Sequence, residues 1–195
     1  MKKTSLLALA IVAHAALSSS AFAASGTLQF NGELNNASCT VTPGGDASAG
    51  TGNNILVDMG DVSFADLQVA SPGVGNVGVA VTDLNFDIGC PSGVGALSRV
   101  IMSFDPNSGS GLDSIDGRLL ALSPGGASGA AIALVNSAND IIDMSSVPSI
   151  SAPLDIDEDG VGTANIALRA TYLRTSGAEV PGAANGSLPF VLRYE

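Results

Sequence analysis

Cys39 and Cys90 are the only cysteines among 195 residues, and a thiol pair is the clearest covalent chemistry the chain offers. Which chemistry depends on the compartment. Residues 1–23 carry the marks of an export signal: Lys2 and Lys3, then the apolar run 6–13, then Ala21-Phe22-Ala23 as a small-x-small cleavage site. The apolar run is too short for a transmembrane anchor. In an exported chain two cysteines predict one disulfide, Cys39–Cys90, and closing so long a loop contributes about 4 kcal/mol in the chain-entropy picture. Cleavage leaves 172 residues and removes Lys2, Lys3 and His14. No imidazole, no lysine and, once oxidised, no thiol remain for catalysis. Proton transfer would fall to Asp, Glu or Tyr, and a serine nucleophile would lack its base. Two carboxylates suit a glycosidase, but such sites sit in clefts with aromatic platforms, and aromatics are few here. The chain is predicted not to be an enzyme and to need no cofactor.

One string resembles a cation loop. Asp155-Ile156-Asp157-Glu158-Asp159-Gly160 opens like a calcium site, but Ile166 stands where the bidentate Glu belongs. The string reads as a solvated acidic turn before a strand, and no metal site is predicted. The remaining cations are Arg99, Arg118, Arg169, Arg174 and Arg193, five against 18 acidic residues, a net charge of −13. Nucleic-acid binding needs clustered Lys and Arg, and an anionic membrane surface attracts the same residues, so both partners are disfavoured. No later apolar run is long enough to insert the mature chain into a membrane.

The elements that hold these residues read as strands. Short apolar runs recur between turn signals with no long helical period, the pattern of an all-β sandwich in one domain. Strands are expected at 55–60, within 79–90, at Arg99–Phe104 and at Ala130–Val135. Residues 164–174 and 188–194 read as a hairpin pair joined by the turn-rich 176–182. Segments 43–54, 71–78 and 105–117 read as loops. In the last strand Phe190, Leu192 and Tyr194 share the face expected to pack inward, with Pro189 near the strand start.

Ahead of Cys39, Leu28, Phe30, Gly32 and Leu34 fall on one face of an extended strand, with polar residues on the other. Residues 24–38 would make an arm of 15 residues, which at ~3.3 Å per residue can cross a domain. By pattern alone, 27–34 is either the first strand of a complete sandwich or an arm for a neighbour's groove.

Several strings resemble one family. Gly26 to Val41, with Phe30-Asn31-Gly32 and Cys39, looks like the mature start of type 1 fimbrial subunits of the chaperone–usher pathway. Val57-Asp58-Met59-Gly60-Asp61-Val62 and Asp87-Ile88-Gly89-Cys90 are similar to internal strands of that family. The ending, Leu168 to Tyr172 through Pro181-Gly182-Ala183-Ala184-Asn185 to Phe190-Val191-Leu192-Arg193-Tyr194-Glu195, is the strongest match. The Cys39–Cys90 spacing and the Gly-rich 43–54 depart from the family pattern. The resemblance implies an incomplete immunoglobulin-like β-sandwich lacking its last strand, with an N-terminal donor-strand arm. It divides the chain into a signal (1–23), a donor-strand extension (24–38) and a pilin domain (39–195). It implies a structural subunit of an adhesive pilus, exported through the periplasm to the cell surface. Its partners would be a periplasmic chaperone, an outer-membrane usher and neighbouring subunits in a homopolymer. Leu28, Phe30, Gly32 and Leu34 would be donor residues, and Phe190, Leu192 and Tyr194 would line the acceptor groove. The alternatives are a minor adaptor or terminator subunit of the same system, or a secreted sugar- or calcium-binding β-sandwich.

Overall fold

A computed structural model describes residues 39–51, 53–70 and 81–195. The expected signal, the arm 24–38 with Leu28, Phe30, Gly32 and Leu34, and the loop 71–78 lie outside the described residues. The strands are β1 (Thr40–Gly45), β2 (Ala47–Ala49), β3 (Ile55–Val57), β4 (Gln68–Val69), β5 (Val81–Cys90), β6 (Arg99–Phe104), β7 (Ala130–Val135), β8 (Ser149–Pro153), β9 (Asp155–Ile156), β10 (Gly162–Arg174) and β11 (Phe190–Tyr194). The helical elements among the described residues are two short 3-10 turns, Phe64–Asp66 and Pro106–Ser108. None of the described residues forms a helix long and apolar enough to cross a membrane.

Two sheets enclose the core as an immunoglobulin-like β-sandwich. The larger is built on β5 and β10, antiparallel from Gly162↔Cys90 to Thr171↔Val81. β1 pairs with the outer edge of β5. Along the other edge of β10 lie β9 at its start and β7 at its end, and β4 runs parallel to its last residues. The smaller sheet has the order β11-β6-β8. Side chains alternate as half-buried strands require: Leu84, Phe86 and Ile88 of β5 are buried, while Asp83 and Asp87 face out. The inner rows of β5 and β10 meet Val100, Met102 and Phe104 of β6 and Ala152 of β8 in one cluster. With Trp absent, that core is mostly aliphatic.

The tip of β10 departs from the alternation, because Ala170, Thr171, Tyr172 and Leu173 are all buried. A second cluster covers the outer face there, formed by Leu119, Ala131, Ala133, Val135 and Leu173. Its loop is fixed by Arg118, whose guanidinium grips Asp116 at 2.9 and 2.6 Å.

Three expectations are corrected. Residues 43–54 are not a loop. Thr40–Gly45 extends the large sheet, and Ala47–Ala49 pairs antiparallel with Ile55–Val57. Pro43 is tolerated because, among the described residues, β1 is an edge strand paired on one side only. The strand expected over 55–60 stops at Val57, where the Asp58 carboxylate accepts the Gly60 N–H at 2.9 Å. Residues 164–174 and 188–194 are not a hairpin either, since β10 and β11 belong to different sheets.

The physical reason lies in the connector 175–189, which is laced to the segment 105–129 before it crosses. Backbone hydrogen bonds run from Thr175 N–H to Gly129 O (2.9 Å), Ser128 N–H to Val180 O (3.0 Å), Ala127 N–H to Ala183 O (2.9 Å) and Ser110 N–H to Ser187 O (2.9 Å). The Tyr172 hydroxyl donates to Ala184 O at 2.6 Å. The lacing needs glycine at close approach: a Cβ on Gly126 would lie 2.0 Å from Ala183 O, and one on Gly109 would lie 2.1 Å from Ser187 O. Gly126→Val is therefore expected to lower stability by about 1–3 kcal/mol or more, through overpacking against backbone that cannot yield. Gly117→Ala, which meets nothing within 4 Å, should change little. Urea midpoints of the two variants check this, and equal midpoints would refute the packing argument.

Candidate functional site

The C-terminal strand is the place where the core opens. β11 pairs with β6 in the register Phe190↔Phe104, Leu192↔Met102 and Tyr194↔Val100. Residues directly opposite in a sheet share a face, so these six side chains all point toward the opposite sheet. Their burial differs sharply across one strand spacing. Val100 and Met102 are 0% exposed and Phe104 is 9% exposed. Phe190, Leu192 and Tyr194, one strand further out, are only half-buried. They touch the core cluster without being covered by it. Phe190 packs on Phe86 of the large sheet with ring centroids 6.4 Å apart. Among the described residues, β11 has no strand on its outer edge.

A row of apolar side chains covered on one flank only by the described residues, beside an edge that no described strand pairs, has the physical character of a surface that can accept a further strand. Burial raises the Tyr194 hydroxyl above its ordinary value, so the ring stays neutral at any physiological pH. Val191 points the other way and is 62% exposed.

The cysteines meet at the far end of the β1–β5 pair. Thr40 faces Gly89, and the next step of that register brings Cys39 opposite Cys90, with Cα atoms 4.0 Å apart and the disulfide formed. Cys90 is buried at the edge of the core. The bond anchors Cys39 at the start of β1. The acidic string turns the chain from β9 into β10. One Asp157 carboxylate oxygen accepts the Asp159 N–H at 3.0 Å and the Val161 N–H at 2.8 Å, as an Asx-turn residue does.

Sequence reasoning located the inward row of β11 by its parity but missed the role of β6. The alternation Val100, Met102, Phe104 was visible, yet the burial step appears only once the register with β11 is known. It also missed β8, whose Ser149-Ile150-Ser151-Ala152-Pro153 carries little strand signal.

A family profile described as "Fimbrial protein" matches residues 28–195. Among solved structures, the CupB6 tip adhesin from Pseudomonas aeruginosa is 23% identical with a TM-score of 0.38, over 58% of this chain and 30% of that one. The present chain thus spans less than a third of that adhesin's length. The P pilus rod subunit PapA is 17% identical with a TM-score of 0.40, over 87% of this chain and 100% of that one. No curated protein matches the chain.

Proposed function

The chain belongs to the fimbrial protein family, and on that premise we propose that it is a structural subunit of an adhesive pilus, polymerised by donor-strand exchange. A periplasmic chaperone holds the subunit first and passes it to an outer-membrane usher. The arm 24–38 of the next subunit then fills the position beside β11 of the preceding one, and the fibre lies outside the cell.

The observation that carries this reading is the burial step from Met102 to Leu192. Two residues side by side on one face differ because, among the described residues, Met102 has a strand on both flanks and Leu192 on one only. An arriving strand would pair with the free edge of β11 and cover Phe190, Leu192 and Tyr194. Each large side chain so covered contributes up to about 1.5–3 kcal/mol. Leu28, Phe30 and Leu34 supply a matching apolar face, and Gly32 leaves room where the two backbones approach most closely. The open edge is also a liability in water, which gives the chaperone its task.

Expressing residues 24–195 for export with and without a matching chaperone tests the reading. Soluble subunit should accumulate only with the chaperone, and the released subunit should grow fibres visible by electron microscopy. A chain that folds alone and stays monomeric would overturn it and would favour a secreted binding sandwich.

A further inference from the structure

The geometry points to Asn185 and Gly186 as a self-modifying site, where Asn185 deamidates through a cyclic imide and loosens the chain leading into β11. Three Asx–Gly pairs lie among the described residues: Asp116–Gly117, Asp159–Gly160 and Asn185–Gly186. Such a pair can cyclise when the glycine amide nitrogen reaches the side-chain carbonyl carbon, because glycine has no Cβ to obstruct the approach. Two of the pairs are restrained. The Asp116 carboxylate is held by Arg118 at 2.9 and 2.6 Å, and an ionised carboxylate is a poor electrophile. The Gly160 N–H donates to Asp157 O at 3.0 Å, which keeps that nitrogen away from the side chain beside it.

Asn185–Gly186 has neither restraint. Both residues are exposed. Neither the Asn185 carboxamide nor the Gly186 N–H makes a hydrogen bond among the described residues. The carboxamide is neutral and carries a leaving group. The Gly186 nitrogen gives its proton to solvent and bonds to Cγ of Asn185, the Cγ–Nδ2 bond breaks, and the nitrogen leaves as ammonia. Water then opens the imide at one of its two carbonyls. Attack at the side-chain carbonyl leaves an ordinary aspartate in place of Asn185. Attack at the main-chain carbonyl gives isoaspartate, with one extra carbon in the backbone.

That extra carbon falls within a short stretch pinned at both ends. Asn185 O accepts from Ser123 N–H at 2.7 Å, and Ser187 N–H donates to the Ser110 hydroxyl at 2.7 Å. An isoaspartyl linkage lengthens the backbone between these two pins and so works against holding both, and a chain that loses one enters β11 at Phe190 less firmly held. The chemistry is independent of the pilus reading, while its consequence for subunit acceptance rests on it.

The test uses the folded, oxidised chain 24–195 without fibres, incubated at mildly alkaline pH in heavy-oxygen water and mapped by mass spectrometry. The Asn185 peptide should exchange ammonia for heavy oxygen before the peptides bearing Asn107, Asn136 or Asn165, and Asn185→Gln should abolish the change. An Asn185 peptide that stays intact in the folded chain, or converts after those others, overturns the site. Hydrogen exchange then separates the products. The isoaspartyl fraction should exchange faster at 190–194 than Asn185→Asp, which adds the same charge on a normal backbone. Equal exchange in the two overturns the loosening of β11.

Discussion

Phe30→Asp is expected to abolish fibre growth while the subunit still folds, still forms Cys39–Cys90 and still binds a chaperone. Phe30 lies outside the described residues, and the expectation rests on the proposed donor role of the arm together with the observed state of β11. Phe190, Leu192 and Tyr194 form a half-covered apolar row with no strand beyond it among the described residues. A carboxylate brought there meets ring and methyl groups instead of water. Losing the Phe side chain forfeits roughly 2–3 kcal/mol of burial, and an unpaired charge costs several kcal/mol more. A total above about 4 kcal/mol corresponds to about a thousandfold loss in the exchange equilibrium.

Sedimentation and electron microscopy would read the loss. A peptide of residues 24–38 supplies the control: it should bind the variant's intact groove, and the same peptide carrying Phe30→Asp should not. If the variant subunit fails to fold with its chaperone, the arm belongs to its own core. If it grows fibres as the native chain does, the donor role fails.

The strands with strong alternation were legible in the sequence. Arg99–Phe104 and Ala130–Val135 are strands over those same residues, and the window 79–90 contains β5. Each carries β-branched or apolar residues in a run bounded by turn signals, so local preference and tertiary role agree. β1 and β2 were illegible because Thr-Val-Thr-Pro-Gly-Gly and Ala-Ser-Ala favour no strand on their own. β1 exists because the outer edge of β5 needs a partner, which is a property of β5. The separation of β10 from β11 was hidden for a related reason. A hairpin and a crossover both need a Gly- and Pro-rich connector, and only the contacts of Gly109 and Gly126 with that connector decide between them. In the candidate site the parity of Phe190, Leu192 and Tyr194 could be read directly. Their half-burial could not, since it follows from what lies beside β11 rather than from β11 itself.

Replacing both cysteines by alanine should lower the stability of the folded subunit by about 4 kcal/mol, a large part of the roughly 5–15 kcal/mol typical of a domain. The bonded residues are 51 apart in sequence, so the unbridged unfolded chain regains the entropy of a long loop. Alanine is the right replacement because Cys90 is 2% exposed, and a serine hydroxyl would add a desolvation cost of its own. With a urea dependence of about 2 kcal/mol per molar, the midpoint should fall by about 2 M. Reducing the native disulfide should give the same shift, while a fall below about 0.5 M in both would show that the bond adds little beyond sheet pairing. A second effect is local. Among the described residues the disulfide closes the Thr40 end of the β1–β5 register, so without the bond β1 should fray from its start. Hydrogen exchange at Thr40–Gly45 should then quicken more than at β10, whose partners lie on both edges. On the proposed donor role of residues 24–38, which precede Cys39 in the sequence, a frayed β1 would also leave the donor segment without a fixed origin. Fibre growth by the double variant should therefore slow even under conditions where the sandwich stays folded.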